Sequence, residues 1–162
     1  MTSSTTSKTI STSENNAPDV TRVIIGSDHR GVAAKRIVAD TLREMGIAVE
    51  DVGAYDEQSV DYPDFAEIVA RAVAADRTTR GVLVCGSGIG MSIAANKVAG
   101  IRAALVHEVE AARMSRLHND ANVLVLAGGR SEPRKTREIV EVWMRTGFEG
   151  GRHQRRVDKI AC

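Results

Sequence analysis

Five apolar runs, each followed by a stretch with helical spacing, constrain this chain more than any other feature. They are RVIIG (22–26), IAVEDVG (47–53), GVLVC (81–85), IRAALVH (101–107) and NVLVLAG (122–128). Continuous Val/Ile/Leu strands are what a parallel sheet covered on both faces requires. Between them, VAAKRIVADTLREMG (32–46) places Val32, Ile37, Val38, Leu42 and Met45 near one face, and Gly46 stops the helix. Pro63 suits the first turn of a helix running to about Ala75. Further helices are expected through Asn96, from Glu108 to about Leu117, and from Pro133 to about Thr146. Five strands alternating with five helices predict an α/β fold, a doubly wound three-layer αβα sandwich on a five-stranded parallel sheet, Rossmann-like in its winding.

Such a sheet binds ligands outside the carboxyl ends of its strands. The first run ends at Ser27, Asp28 and His29, the third at Cys85 through Gly90, the fourth at His107, and the fifth at Gly128, Gly129 and Arg130. The polar residues therefore fall where the fold would put a site. In CGSGIG, Gly86, Gly88 and Gly90 carry little bulk, so successive N–H groups can line a hollow at the start of the next helix. A hollow of that kind suits a phosphate or a developing oxyanion. The loop has neither the G-x-x-x-x-G-K-[ST] nor the G-x-G-x-x-G spacing, and tight strand–helix packing would explain it equally well. Cys85 before it is either a small buried hydrophobe or a thiolate able to act as nucleophile or base. Ser87 could donate to a substrate oxygen. His118 and Asn119 close the fourth helix, as a helix cap or as working groups. Arg152, Arg155 and Arg156 follow Gly150-Gly151 and read either as a solvated basic tail or, with Arg130, as a phosphate clamp.

The chain has 162 residues with a net charge of +1, and holds one Trp, two Tyr and two Phe. That balance argues against nucleic acid as a partner, and no apolar run reaches the ~20 residues of a membrane span. Cys85 and Cys162 lie far apart, and no C-x-x-C or H-x-x-x-H spacing suggests a metal. No metal and no cofactor are expected, and free thiols fit a reducing cytoplasm. Residues 1–20 are rich in Ser and Thr and have no apolar segment; they read as a disordered tail ahead of a single domain over 21–162.

The stretches GSDHRG, DYPDFA, VCGSGIGMSIAANKVAGIRAA, RLHNDANVLVLAGGR and GGRHQRRV resemble, in order and spacing, the type B ribose-5-phosphate isomerases, whose family includes galactose-6-phosphate isomerase subunits. The resemblance covers roughly residues 22–160. It implies a metal-free aldose–ketose isomerase of the pentose phosphate pathway, converting ribose 5-phosphate to ribulose 5-phosphate through a cis-enediolate. Cys85 would be the base, and Ser87 with the amides of Gly86 to Gly90 would stabilise the enediolate. Asp28 and His118 would open the furanose ring, with Asn119 nearby. His29, Arg130, Arg152 and Arg156 would hold the phosphate, and Tyr62 would line the pocket. Ser87 stands where other cysteine members carry threonine. The resemblance further implies a homodimer or homotetramer whose active site is shared between subunits. The alternatives are an isomerase of another phosphorylated aldose (galactose 6-phosphate, allose 6-phosphate or a tetrose phosphate) and a non-catalytic sugar-phosphate binding module.

Overall fold

A computed structural model describes residues 20–160; the Ser/Thr-rich segment before Val20 and the terminal Cys162 lie outside the described residues. Five strands, β1 (Arg22–Ser27), β2 (Ala48–Asp51), β3 (Thr79–Cys85), β4 (Ala103–Leu105) and β5 (Val123–Ala127), form one sheet in the order β2-β1-β3-β5-β4, every pair parallel. The α-helices are α1 (Val32–Glu44), α2 (Tyr62–Ala75), α3 (Ile89–Ala95), α4 (Val109–Asn119), α5 (Pro133–Arg145) and α6 (Arg152–Ile160). None of them is long and apolar enough to cross a membrane.

Strand alternation divides the core. Val23, Ile25, Val82, Val84, Leu124 and Leu126 face one way, onto the side where α1, α4 and α5 supply Leu42, Ala112 and Trp143. Ile24, Leu83, Cys85, Val123 and Val125 face the other, against Val69 and Val73 of α2 and Met91 of α3. The three central strands are buried on both faces, which is why they read as unbroken apolar runs. Val20 packs against the first of these clusters.

Four expectations are corrected. The second strand is four residues long and alternates between exposed and half-buried, because β2 is an edge. The fourth shrinks to three residues, leaving His107 in the loop that follows. Beyond Gly150-Gly151, both at positive φ, the basic stretch forms a sixth helix that buries His153 and Val157. Helix α4 runs two residues past Leu117, and Asp120 (φ 45) rather than Asn119 makes its left-handed cap.

Lys35 of α1 ties β2 to the loop after it. Its side chain, 2% exposed, reaches Asp51 Oδ1 at 2.5 Å and the carbonyl of Ala54 at 2.6 Å.

Candidate active site

The chain leaves β1 for α1 on one side and enters the sheet again at β3 from the other, so a crevice opens where the carboxyl ends of β1 and β3 part. Asp28 lies on one bank and Cys85 on the other; Asp28 N–H donates to the carbonyl of Val84 at 3.1 Å. Asp28 Oδ1 accepts from the N–H groups of Arg30 (2.9 Å) and Gly31 (3.0 Å), shaping the turn into α1 and leaving Oδ2 outside that turn. His29 Nδ1 accepts from Val60 N–H at 3.3 Å, so in the neutral ring the proton sits on Nε2, which is left as a donor.

Cys85 is 4% exposed and ends β3 facing α2 and α3. The glycine loop then turns tightly. Gly88 adopts φ 77, a left-handed conformation that a side chain resists, and its N–H donates to Cys85 Sγ at 3.2 Å. Ile89 N–H turns back to Ser87 Oγ at 3.3 Å. In the first turn of α3, Gly90 N–H has no acceptor within the helix. Tyr62 covers Gly90 so closely that an added Cβ would lie 2.4 Å from its ring. The N–H of Gly129 donates to the carbonyl of Gly86 at 3.1 Å, which brings the turn carrying Arg130 beside the loop. Asp28, His29, Tyr62, Cys85, Ser87, the three glycines and Arg130 therefore share one edge of the sheet.

Arg30 belongs with them. Its guanidinium lies over Gly86, with Nε 3.1 Å from where a Cβ would be. The signal was present in GSDHRG, where three consecutive ionisable side chains follow a buried strand.

His118, Asn119, Arg152 and Arg156 lie elsewhere. A crossover helix runs antiparallel to its strands, so the last turn of α4 reaches the amino edge. There Asn122 accepts from Gly81 N–H at the start of β3, and Glu149 N–H donates to the carbonyl of Leu117. The length of β3, about 20 Å, separates this group from Cys85 in the same chain. His118 stacks on His153 of α6, with ring centroids 4.1 Å apart and planes 9° from parallel. Glu149 Oε2 lies 3.7 Å from His118 Nε2 and 3.9 Å from His153 Nε2. Burial, followed by the neighbouring His118, holds the His153 imidazole below the usual histidine range. These three residues put ligand-type atoms within 4.8 Å of one another, a juxtaposition that local spacing does not reveal because they come from α4, a loop and α6.

A concavity of about 510 Å³ also lies away from Cys85, lined by Val98, Ile101, Ala104, Asn119 and Ile160 among others. Beside Cys85, Tyr62, Ile89 and Ile93 are exposed at 40%, 55% and 59%.

Residues 23–160 match the Ribose/Galactose Isomerase family profile. The chain belongs to that family. Among its relatives in the ribose/galactose isomerase family, ribose-5-phosphate isomerase B of Escherichia coli is 42% identical, spanning 87% of this chain and 95% of that protein. A putative sugar phosphate isomerase of Bacillus subtilis is 45% identical over 86% and 95% of the two chains. The crystal structure of a Thermotoga maritima ribose 5-phosphate isomerase superposes with a TM-score of 0.84 at 45% identity, covering 87% of this chain and 97% of the other. The Mycoplasma genitalium enzyme, solved with bound ribulose-5-phosphate, gives 0.83 at 42% identity over 86% and 93%. The five-stranded parallel fold expected from the sequence is thus the fold of this family.

Proposed function

We propose that the chain is a sugar-phosphate isomerase interconverting ribose 5-phosphate and ribulose 5-phosphate, with Cys85 as the base. The observation that carries this reading is the sulfur of Cys85 at the strand-parting crevice, held by the Gly88 N–H at the mouth of a glycine loop. In the open-chain aldose, the thiolate removes the proton from C2. The C–H pair becomes the C1=C2 bond and the C1 carbonyl pair moves to O1, giving an enediolate. O1 ends with a proton, O2 gives one up, and the thiol returns its own proton to C1. The developing oxyanion is the costly species, and a single well-placed donor lowers such a barrier by about 3–4 kcal/mol. Ser87 Oγ–H and the Gly90 N–H are donors for it at this edge, whereas the Gly88 and Ile89 N–H groups of the Gly86–Gly90 loop are engaged by Cys85 Sγ and Ser87 Oγ.

The other half of the site comes from a second copy of the chain. His118 with Asn119 assists ring opening together with Asp28, and Arg152 and Arg156, one helical turn apart on α6, hold the phosphate with His29 and Arg130. The roughly 20 Å between the two groups within one chain supports this division, as do the uncovered Ile89 and Ile93 beside Cys85. The assembly is a homodimer or a tetramer of such dimers, each site shared, and the free thiol of Cys85 suits a reducing cytoplasm.

Proton NMR of ribose 5-phosphate in deuterated water tests the reading. The wild type should build up ribulose 5-phosphate and exchange the transferred hydrogen, whereas Cys85→Ala should remain folded and lose both activities by orders of magnitude. Turnover by Cys85→Ala at near wild-type rate would refute the base assignment. The family's description also names galactose, so initial rates with four-, five- and six-carbon aldose phosphates identify the preferred chain length.

A further inference from the structure

We propose that a cluster of arginines at the amino edge of the sheet forms a second anion site, one that takes a phosphate group and is separate from the Cys85 edge. A cavity of about 330 Å³ opens there, lined by Arg77, Arg80, Arg102 and Arg116, with Thr79 and Asp120. Two of these guanidiniums are deeply buried: Arg80 is 3% exposed and Arg116 is 1% exposed. They flank Trp143, with Arg80 Cζ 5.2 Å and Arg116 Cζ 5.8 Å from its ring centroid.

The hydrogen-bond inventory is unbalanced in one direction. Of the four side-chain atoms buried without a partner among the described residues, Ser27 Oγ lies at the far end of β1 and the other three, Arg80 Nη2, Arg116 Nη2 and Trp143 Nε1, lie here. All three are donors, and two of them carry positive charge, so what they lack is an acceptor with negative charge. Asp120 does not meet that need. Its carboxylate is divided between Arg116 Nη1 at 2.8 Å and Arg102 Nη2 at 3.1 Å, one negative charge among four guanidiniums. Burial, and after it the charge of Arg116, push Arg80 down to about 9. Arg80 is tethered only loosely, by a 3.3 Å contact to the carbonyl of Met144. Rotation of its guanidinium therefore presents Nη2 to the cavity. A tetrahedral oxyanion accepts from several guanidinium forks at once and supplies the missing charge, which a water molecule cannot do. The volume leaves room for a small organic group on the phosphate.

Trp143 is the chain's one tryptophan, so its fluorescence reports on this site directly. Titration with inorganic phosphate, and separately with glycerol 3-phosphate, which has no carbonyl to isomerise, should each give a saturable change that sodium chloride at equal ionic strength does not. Arg80→Met should weaken the response on the order of tenfold or more. Arg77→Ala, at an exposed residue outside the buried packing, should weaken it several-fold and leave isomerase activity unchanged. Arg152→Ala and Arg156→Ala should leave the fluorescence response intact. Tighter binding of the ester than of inorganic phosphate makes the occupant a phosphorylated metabolite, and equal binding makes it free phosphate. No saturable change beyond the chloride control overturns the proposal. So does a response that survives both Arg80→Met and Arg77→Ala but disappears with Arg152→Ala.

Discussion

Gly88→Ala tests the loop most sharply, because two separable costs meet at one atom. Gly88 has φ 77, where a side chain costs about 1–2 kcal/mol. An added Cβ would also lie 2.4 Å from Leu105 Cδ1 and 3.2 Å from the backbone of Leu126. Overpacking of that kind typically costs about 1–3 kcal/mol. The sum is about 2–5 kcal/mol, read as a shift in urea unfolding at fixed protein concentration. The clash with Leu105 is relieved if that side chain is removed. Introduced into a Leu105→Ala background, Gly88→Ala should therefore cost less, the conformational part of about 1–2 kcal/mol plus what the Leu126 backbone contact retains. The same substitution moves the N–H that reaches Cys85 Sγ, so isomerase activity should fall as well. Stability within about 0.5 kcal/mol of wild type would refute the strain argument. An equal cost with and without Leu105 would refute the clash.

Lys35→Met should destabilise the protein by about 3 kcal/mol, because Asp51 and the Ala54 carbonyl lose a buried cation; an unchanged unfolding midpoint would mean the pair contributes nothing. His153 titrates below an ordinary histidine in the folded state, so the unfolded chain takes up its proton first as pH falls. Stability should therefore decline on acidification below about 6.5, down to the folded value, and His153→Gln should flatten that slope. NMR titration of the ring should show it still neutral where a free imidazole is half protonated, and an ordinary titration there would contradict the stacking and burial argument.

What the sequence disclosed followed burial. β1, β3 and β5 were legible as runs of Val, Ile and Leu because both their faces are covered. β2 and β4 were drawn too long, since at the sheet edges apolar character continues into turns without any ladder to continue with it. α6 was invisible as a helix because RHQRRVDKI docks through only His153 and Val157, too little apolar surface to leave a periodic pattern. Asp28, Cys85 and the glycines were placed correctly at one edge by the rule for parallel sheets. That rule also carried a signal not used: helix C-termini lie at the amino edge, so His118 and Asn119, ending α4, belong opposite to Cys85. GSDHRG does not distinguish Arg30 from its ionisable neighbours Asp28 and His29, and only the fold lays its guanidinium over Gly86. The arginines lining the amino-edge cavity come from just past the end of α2, β3, β4's entry and α4, and only the folded chain gathers them.

The proposed division of the site between two copies is tested by mixing inactive subunits. Cys85→Ala and His118→Ala homo-oligomers should each be nearly inert. When unfolded together in equal amounts and refolded, half the dimers are mixed, and each mixed dimer carries one site with both residues intact. Activity should then return to about a quarter of wild type. Mixtures that stay as inactive as their parents, while size measurements show subunits exchanged, would contradict a site built from opposite edges of two chains.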